Sequence, residues 1–169
     1  MDDLQQLGAA ALARPAAQPA VEFEKQWITW GEMRRVAERL GASLEASGAG
    51  RGAKIAFIAR NRPSALAALL GMIARRCTVR MIYPFQSPDA IARDIDRIEP
   101  GAVVAAVEDY SEAFLAVLRA RGIAAIALQE MNAVSLPGLE RSAHPGDPAA
   151  LAQIDKINDM LKGTQHVIT

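Results

Sequence analysis

The sequence lacks an excess of charge of either sign, which bears first on the partners that the protein can have. Its 169 residues include 19 Lys and Arg against 19 Asp and Glu, so the formal net charge is zero. Proteins that bind nucleic acid usually present a basic patch, and no dense basic block occurs here. We therefore expect no nucleic-acid partner, and we interpret the runs Arg60-Asn61-Arg62 and Arg75-Arg76 as solvated loop charges.

Long apolar runs and cysteines are also scarce. No stretch approaches the roughly 20 apolar residues that cross a bilayer, and the acidic start Met1-Asp2-Asp3 differs from the basic start of a secretory signal. The single cysteine, Cys77, excludes an internal disulfide and fits a reducing compartment. These features predict a cytoplasmic protein without a membrane span.

Few side chains of the kinds that catalyse reactions or bind metals are present. Cys77 starts an apolar segment with no histidine near it in sequence, so a small buried filler is favoured over a nucleophile. The two histidines, His144 and His166, join no cluster with metal-ligand spacing. Four carboxylates could be read as acid/base pairs: Asp94, Asp96, Glu108 and Asp109. Charge on helix faces and helix capping explain all four better, so we assign no catalytic, cofactor-binding or metal-binding residue.

Two glycine-containing segments suggest phosphate binding, but their place in the chain argues against it. A dinucleotide-binding glycine loop leaves a strand and enters a helix, whose first amides hold the pyrophosphate. The run Gly48-Ala49-Gly50-Arg51-Gly52 instead leaves a predicted helix and enters a predicted strand. The segment Lys162-Gly163-Thr164 lacks the preceding glycine-rich run of a P-loop. We interpret both segments as helix ends.

Apolar periodicity alternates between helical and strand-like from residue 21 to residue 128, which predicts an α/β fold. A small N-terminal β-hairpin is expected first, with strands at 21–24 and 27–29 and a turn at Lys25-Gln26. Four buried strands are expected at 54–59, 78–82, 102–107 and 123–128, with helices between them and further helices at 2–13 and 148–162. This alternation implies a parallel sheet of about four strands, flanked by helices and joined by right-handed crossovers.

Residues that cap helices mark where several of these helices begin. Thr29 and Glu32 have capping-box spacing, in which each side chain accepts from the backbone amide of the other. Caps are expected at the three helices that follow: Asn61, Ser87 and Asp109.

Three other side chains have alternative interpretations. Arg80 lies in the middle of strand 78–82, where an unpaired charge covered on both faces would be costly. We therefore predict that its face is open to solvent or that an acid meets it. Trp27 and Trp30 flank the junction between the hairpin and the first long helix. Packing of that junction is the simpler role, and lining a ligand channel is the alternative.

Five short motifs follow one another along the chain: Pro19-Ala20-Val21-Glu22-Phe23, Trp27-Ile28-Thr29-Trp30-Gly31-Glu32-Met33, Gly50-Arg51-Gly52-Ala53-Lys54-Ile55-Ala56, the segment from Asn61-Arg62-Pro63 to Tyr83-Pro84-Phe85, and His144-Pro145-Gly146-Asp147-Pro148. In order and spacing they resemble the start of AMP-forming acyl-CoA synthetases, in the adenylate-forming superfamily. The resemblance spans residues 3–148 and rests on the set of motifs, since each is weak alone.

The resemblance implies a ligase that activates a carboxylic acid, such as a fatty acid, with ATP and then passes the acyl group to coenzyme A. It implies ATP, Mg²⁺ and CoA as cofactors of the full-length protein, and a carboxylic acid as its substrate. That family's phosphate loop, rich in Thr, Ser and Gly, has no match in this chain. No catalytic or binding residue can therefore be transferred from the family.

On this view the chain divides into an N-terminal helix and linker at 1–20, a synthetase-like α/β subdomain at 21–148, and a C-terminal helix and tail at 149–169. It would be the N-terminal part of a ligase, truncated before the phosphate loop and without turnover alone. The alternative is a stand-alone small α/β module for binding or dimerisation. A fragment should expose an apolar face, through which we expect homodimerisation or aggregation.

Overall fold

The computed structural model describes residues 3–143, in which the chain forms five helices and seven strands. The helices are α1 (Leu4–Leu12), α2 (Trp30–Ala46), α3 (Pro63–Ala74), α4 (Pro88–Ile98) and α5 (Glu112–Arg121). The strands are β1 (Pro19–Phe23), β2 (Gln26–Thr29), β3 (Lys54–Ile58), β4 (Thr78–Ile82), β5 (Ala102–Ala106), β6 (Ala124–Gln129) and β7 (Asn132–Ser135). A single 3₁₀ turn, Val107–Asp109, follows β5. The helix predicted at 148–162 lies outside the described residues.

Five strands form one sheet in the order β4-β3-β5-β6-β7. Strands β4, β3, β5 and β6 run parallel, which confirms the predicted α/β fold. β7 pairs antiparallel with β6 and extends the sheet beyond the four strands that the periodicity predicts. The sequence gives little sign of β7, because Glu130 enters the preceding turn at a φ of 50° without the Asn or Gly that usually marks such turns.

The N-terminal hairpin forms a separate two-stranded sheet, as predicted. Its strands β1 and β2 are antiparallel, and Phe23 pairs with Gln26. The turn is therefore Glu24-Lys25, and the prediction of Lys25-Gln26 was wrong by one residue. Both turn residues have positive φ, 50° and 63°, the pattern of a type I′ turn whose twist matches that of the strands.

Helices α2 and α3 cover one face of the sheet, and α1 lies against α3. Small residues allow these helices to approach closely. A Cβ added at Gly71 would lie 2.9 Å from Cβ of Ala37, and one at Gly8 would lie 2.9 Å from Cγ2 of Ile73. The core of this face contains side chains from the helices and from the sheet: Leu40, Leu44, Ile55, Phe57, Met72, Val104 and Ile126.

Helices α4 and α5 cover the opposite face, whose core includes Ile58, Ile95, Val103, Phe114 and Leu118. Among the described residues of α4, Ile95 is the one that is buried. A buried tyrosine, Tyr110, joins two strands on this side. Its hydroxyl lies 3.0 Å from the carbonyl oxygen of Val103 and 2.9 Å from that of Ile126. The two faces are thus built differently, with two layers of helix on one and a single layer on the other.

Two of the four predicted helix caps are confirmed. The amide of Glu32 donates to Oγ1 of Thr29 at 3.3 Å, and the amide of Thr29 donates to Oε2 of Glu32 at 2.8 Å. This reciprocal pair is the expected capping box at the start of α2. The side chain of Ser87 caps α4 by accepting from the amide of Ala90 at 3.3 Å.

The other two cap predictions were wrong. Arg62, not Asn61, occupies the cap position of α3 and makes no side-chain cap bond. Ser111, not Asp109, caps α5, because its hydroxyl accepts from the amide of Phe114 at 3.2 Å. The carboxylate of Asp109 is held elsewhere by a residue distant in sequence, as described below. Within residues 3–143, every helix falls short of the length and apolar character that a bilayer span requires.

Candidate functional site at the carboxyl ends of β3 and β5

Strand β3 has a neighbour on each side, and the chain reaches these two neighbours in opposite directions. From β3 the chain passes through α3 to β4 on one side, and from β4 it passes through α4 to β5 on the other. Open α/β sheets bind ligands in the crevice outside the carboxyl ends of their strands, at the point where the strand order reverses. Here that crevice lies between the segments that follow Ile58 and Ala106, and a ligand of the usual α/β kind would be expected there.

An ion pair bridges this crevice. Arg60, two residues after β3, donates from Nε to Oδ2 of Asp109 at 2.9 Å and to Oδ1 at 3.1 Å, and its Nη2 also contacts Oδ1. The Asp109 side chain is 7% exposed, and its hydrogen bond with Arg60 raises the pKa of the guanidinium. Bidentate pairs of this kind are strong and geometrically specific. Two predictions are thereby corrected, because Arg60 is paired rather than solvated and Asp109 joins two strand ends rather than capping a helix.

A second pair extends the bridge toward solvent. Nη2 of Arg62 lies 2.5 Å from Oε1 of Glu108, and both side chains are more than a third exposed. The pKa of Glu108 is lowered, chiefly by a hydrogen bond with its own backbone amide and then by Arg62. The carboxyl ends of β3 and β5 are therefore joined by two arginines from one loop and two acids from the other.

A groove of about 690 Å³ opens beside these pairs, lined by residues 59–62 and 81–85. Cζ of Arg60 lies 5.4 Å from the ring centroid of Phe85. Tyr83 and Phe85 meet edge to face with their centroids 5.5 Å apart, and they are 64% and 71% exposed. The groove thus presents aromatic surface to solvent. Two aromatic residues directly after a strand are the sequence signal that could have identified it.

The ion pairs occupy the charged side chains at the crevice. Arg60 and Arg62 are the side chains there that could bind phosphate, and both already pair with carboxylates. Glu108 and Asp109 would in addition repel an anion placed between the strand ends. The arrangement is suited to holding two strand loops together.

The glycine run 48–52 lies at the amino ends of the parallel strands, opposite the crevice. It leads from the end of α2 into the amino end of β3, whereas phosphate-binding helix amides face the carboxyl ends of strands. Gly48 and Gly52 have φ angles of 83° and 81°, a region that glycine enters at little cost. The interpretation of this run as a helix end and turn is confirmed.

The remaining candidate carboxylates form ion pairs on the surface of α4. Oδ1 of Asp94 lies 2.5 Å from Nη2 of Arg97. Nη2 of Arg121, on α5, donates to Oδ2 of Asp96 at 2.8 Å, and the hydrogen bond with Arg121 lowers the pKa of Asp96. Asp94 and Asp96 are therefore helix-face charges, as predicted. No group of three or more His, Cys, Asp or Glu within residues 3–143 is arranged to hold a metal ion.

Two other candidate side chains, Cys77 and Trp30, pack against neighbouring residues of the fold. Cys77 is partly buried, and this burial raises the pKa of its thiol, which favours the unreactive form. Trp30 packs beside the α2–α3 contact, with Cζ of Arg14 5.4 Å from its ring centroid, so it fills the predicted junction. Trp27 is 61% exposed. Three further candidates lie outside the described residues: His144, His166 and Lys162-Gly163-Thr164.

Several solved structures have a similar fold. A benzoate CoA ligase from Burkholderia xenovorans LB400 gives a TM-score of 0.64 at 16% identity, over 78% of this chain and 27% of its own. Apo MatB from Rhodopseudomonas palustris gives 0.63 at 19% identity, over 79% and 26%. The anthranilate CoA ligase AuaEII, solved with anthranoyl-AMP, gives 0.56 at 13% identity, over 70% and 22%. The chain thus spans about a quarter of the length of these proteins.

At these identities the structural likeness establishes the fold alone. No curated protein sequence gives a significant match. The sequence model of the family described as AMP-binding enzyme matches residues 8–157. That match includes the hairpin, the sheet and both ion-paired strand ends, and it covers most of the chain. The chain therefore belongs to the AMP-binding enzyme family.

Proposed function

We propose that this chain is the N-terminal scaffold subdomain of an ATP-dependent, AMP-forming carboxylate–CoA ligase and has no turnover alone. The observation that carries the proposal is the bridged crevice, where Arg60, Arg62, Glu108 and Asp109 occupy the place at which an α/β sheet would bind its ligand. Membership of the family over residues 8–157 favours this role over a stand-alone binding module. The sheet would support the ligase, and the groove at residues 81–85 would form one wall of its acyl site.

The full-length ligase would use ATP, Mg²⁺ and CoA and would act in the cytoplasm. The acyl adenylate in the AuaEII structure supports ATP as a cosubstrate of proteins with this fold. The exposed aromatic rings of Tyr83 and Phe85 favour an apolar acid of the fatty or aromatic class. As a fragment, the isolated chain would homodimerise or aggregate through an exposed apolar face.

Acid-dependent exchange of pyrophosphate into ATP tests the proposal directly. The purified chain would be assayed with Mg²⁺, ATP and, in turn, benzoate, anthranilate, octanoate and palmitate, with the benzoate CoA ligase as positive control. We expect no exchange above the blank that lacks acid, because both arginines at the crevice are already paired with carboxylates. Exchange that depends on any of these acids would overturn the proposal.

A further inference from the structure

The outer edge of β4 presents backbone groups that can pair with another strand. Among residues 3–143 no strand lies beyond β4. The amide of Thr78 donates to the carbonyl oxygen of Ala53 at 2.8 Å, so the backbone groups of Thr78 point toward β3. In such a pair, alternate residues bond the same neighbour, so the backbone groups of Val79 and Met81 point away from β3. These groups would supply a hydrogen-bonding ladder to an added strand.

The side chains of this edge combine an apolar surface with one positive charge. Arg80 is exposed and has no hydrogen-bonding or ionic partner among the described residues, which confirms the predicted opening of its face to solvent. Strand alternation places Arg80 on the α4–α5 side and Met81 on the α2–α3 side. Met81 is 59% exposed, and its surface continues into the groove at Tyr83 and Phe85.

We propose that a strand from the remainder of the ligase adds to the edge of β4. Its central side chain is a carboxylate facing Arg80, and the apolar side chains on either side of it face Val79 and Met81. This inference rests on the proposed function, because the chain spans about a quarter of the length of the similar solved proteins. The rest of such a protein supplies the strand, and charge complementarity with Arg80 specifies its chemistry.

A second copy of the chain fits this edge less well. β4 contains no acid, since its sequence is Thr-Val-Arg-Met-Ile. Every two-fold pairing of β4 with itself therefore leaves Arg80 without a carboxylate, and a pairing centred on Arg80 places two arginines opposite each other, which is destabilising. The tail of the chain fits no better, because residues 144–169 contain no acid with a large apolar residue on both sides.

A pair of peptides tests which strand this edge accepts. Both are nine residues of alternating Thr and Val, and the central residue is Glu in one and Lys in the other. Each would be titrated into the ¹⁵N-labelled chain while amide shifts and amide exchange are followed. We expect the Glu peptide to slow exchange at the amides of Val79 and Met81. It should also bind up to about fivefold more tightly than the Lys peptide, which is the size of an exposed ion pair.

Charge variants make the test specific to Arg80. Arg80→Glu should reverse the preference so that the Lys peptide binds more tightly, and Arg80→Gln should abolish the preference even if the reversed variant fails to fold. Arg51→Glu changes an exposed arginine in the turn before β3 and should leave the preference unchanged.

Three results would overturn the inference, in addition to a failure of peptide binding. The first is equal affinity for both peptides, as expected if Arg80 only protects the edge from aggregation. The second is binding that leaves Val79 and Met81 unaffected. The third is self-association in sedimentation velocity that protects these two amides without peptide, which would make a second copy the occupant. Failure of peptide binding together with absent pyrophosphate exchange would reject the added strand and leave the proposed scaffold function standing.

Discussion

The two faces of the central sheet are covered by helices in different ways. On one face, α2 and α3 bury six and seven residues, and α1 adds a further layer outside α3. On the other face, α4 buries Ile95 and α5 buries Phe114 and Leu118 among their described residues. The first face is dense because Gly71 lets two helix backbones come together. Since few buried contacts mean low local stability, α4 should open before α2 and α3.

Removing the anchor of α4 should have the largest effect. The Ile95 side chain is 0% exposed, and Ile→Ala substitutions in cores cost about 2–5 kcal/mol of unfolding free energy. Ile95→Ala should lower the urea midpoint accordingly and speed amide exchange in α4 more than in α2 or α3. Leu66→Ala, at a side chain that is 43% exposed, is the control and should change the free energy far less. Equal acceleration in all helices would contradict the loose attachment of α4.

Adding one methyl group to the dense face should have the next largest effect. In Gly71→Ala the new Cβ would lie 2.9 Å from Cβ and 3.1 Å from Cα of Ala37, so α2 and α3 must move apart. Overpacking costs about 1–3 kcal/mol, which exceeds the gain of about 1 kcal/mol from the helix propensity of alanine.

Gly41→Ala is the matched control for this substitution. Its new Cβ meets the guanidinium of Arg75, the mobile end of a long side chain that can move aside. We therefore expect Gly41→Ala to be neutral or to stabilise the chain by up to about 1 kcal/mol. Urea denaturation of both variants measures the difference, and equal loss of stability in the two would refute the close contact between helices.

Tyr110→Phe tests the polar contact beneath the single-layer face. Loss of the hydroxyl removes its hydrogen bonding to the carbonyl oxygens of Val103 and Ile126, which should cost about 0.5–1.5 kcal/mol. Burial raises the pKa of Tyr110, so the unfolded chain releases this proton first as the pH rises. The wild-type chain should therefore lose stability above about pH 10 and the variant should lose less. Tyr83→Phe, at an exposed ring, should show neither effect in urea titrations at pH 7 and pH 10.5.

Glu32→Gln, in the first turn of α2, should have the smallest effect on the free energy of unfolding. Hydrogen bonds from the backbone amide and then the hydroxyl of Thr29 lower the pKa of Glu32. A lowered folded pKa gives stability that is present above the unfolded value of about 4.3 and is lost as the pH falls through the folded value. The variant should be less stable at pH 7 by about 0.3–1 kcal/mol and equal to wild type near pH 2. Glu38→Gln, on an exposed part of α2, should leave the pH profile unchanged.

Most of the fold could be predicted because it is encoded in local periodicity. The bounds of β4, Thr78–Ile82, are those that the sequence predicts, and the capping box at Thr29 lies where its spacing places it. β7 could not be predicted, because its four residues owe their conformation to neighbours in space. Asn132, the first residue of β7, illustrates this. Its Oδ1 accepts from Nη1 of Arg39 at 2.6 Å, and Arg39 lies 93 positions earlier in the sequence.

The candidate site could be predicted less well than the fold because, like β7, it depends on residues that are distant in sequence. Spacing suggested that Asp109 caps a helix, but Ser111 makes that bond and leaves the Asp109 carboxylate available to Arg60, 49 positions earlier. A charged pair between distant loops has no local signature. The groove exists because the loops after β3 and β4 leave the sheet side by side, so the sequence signals its aromatic residues but not its shape.

The position of β3 between β4 and β5 also determines how long one side of β3 stays unpaired during synthesis on the ribosome. β4 follows β3 closely in sequence, so one side of β3 is paired early. The other side stays open until β5 is made, about forty residues later, which takes roughly two to eight seconds at synthesis rates of about 5–20 residues per second. Throughout that interval the nascent chain displays an apolar strand edge, and a ribosome-associated chaperone that shields extended segments should lengthen its stay on this chain until translation passes Ala106.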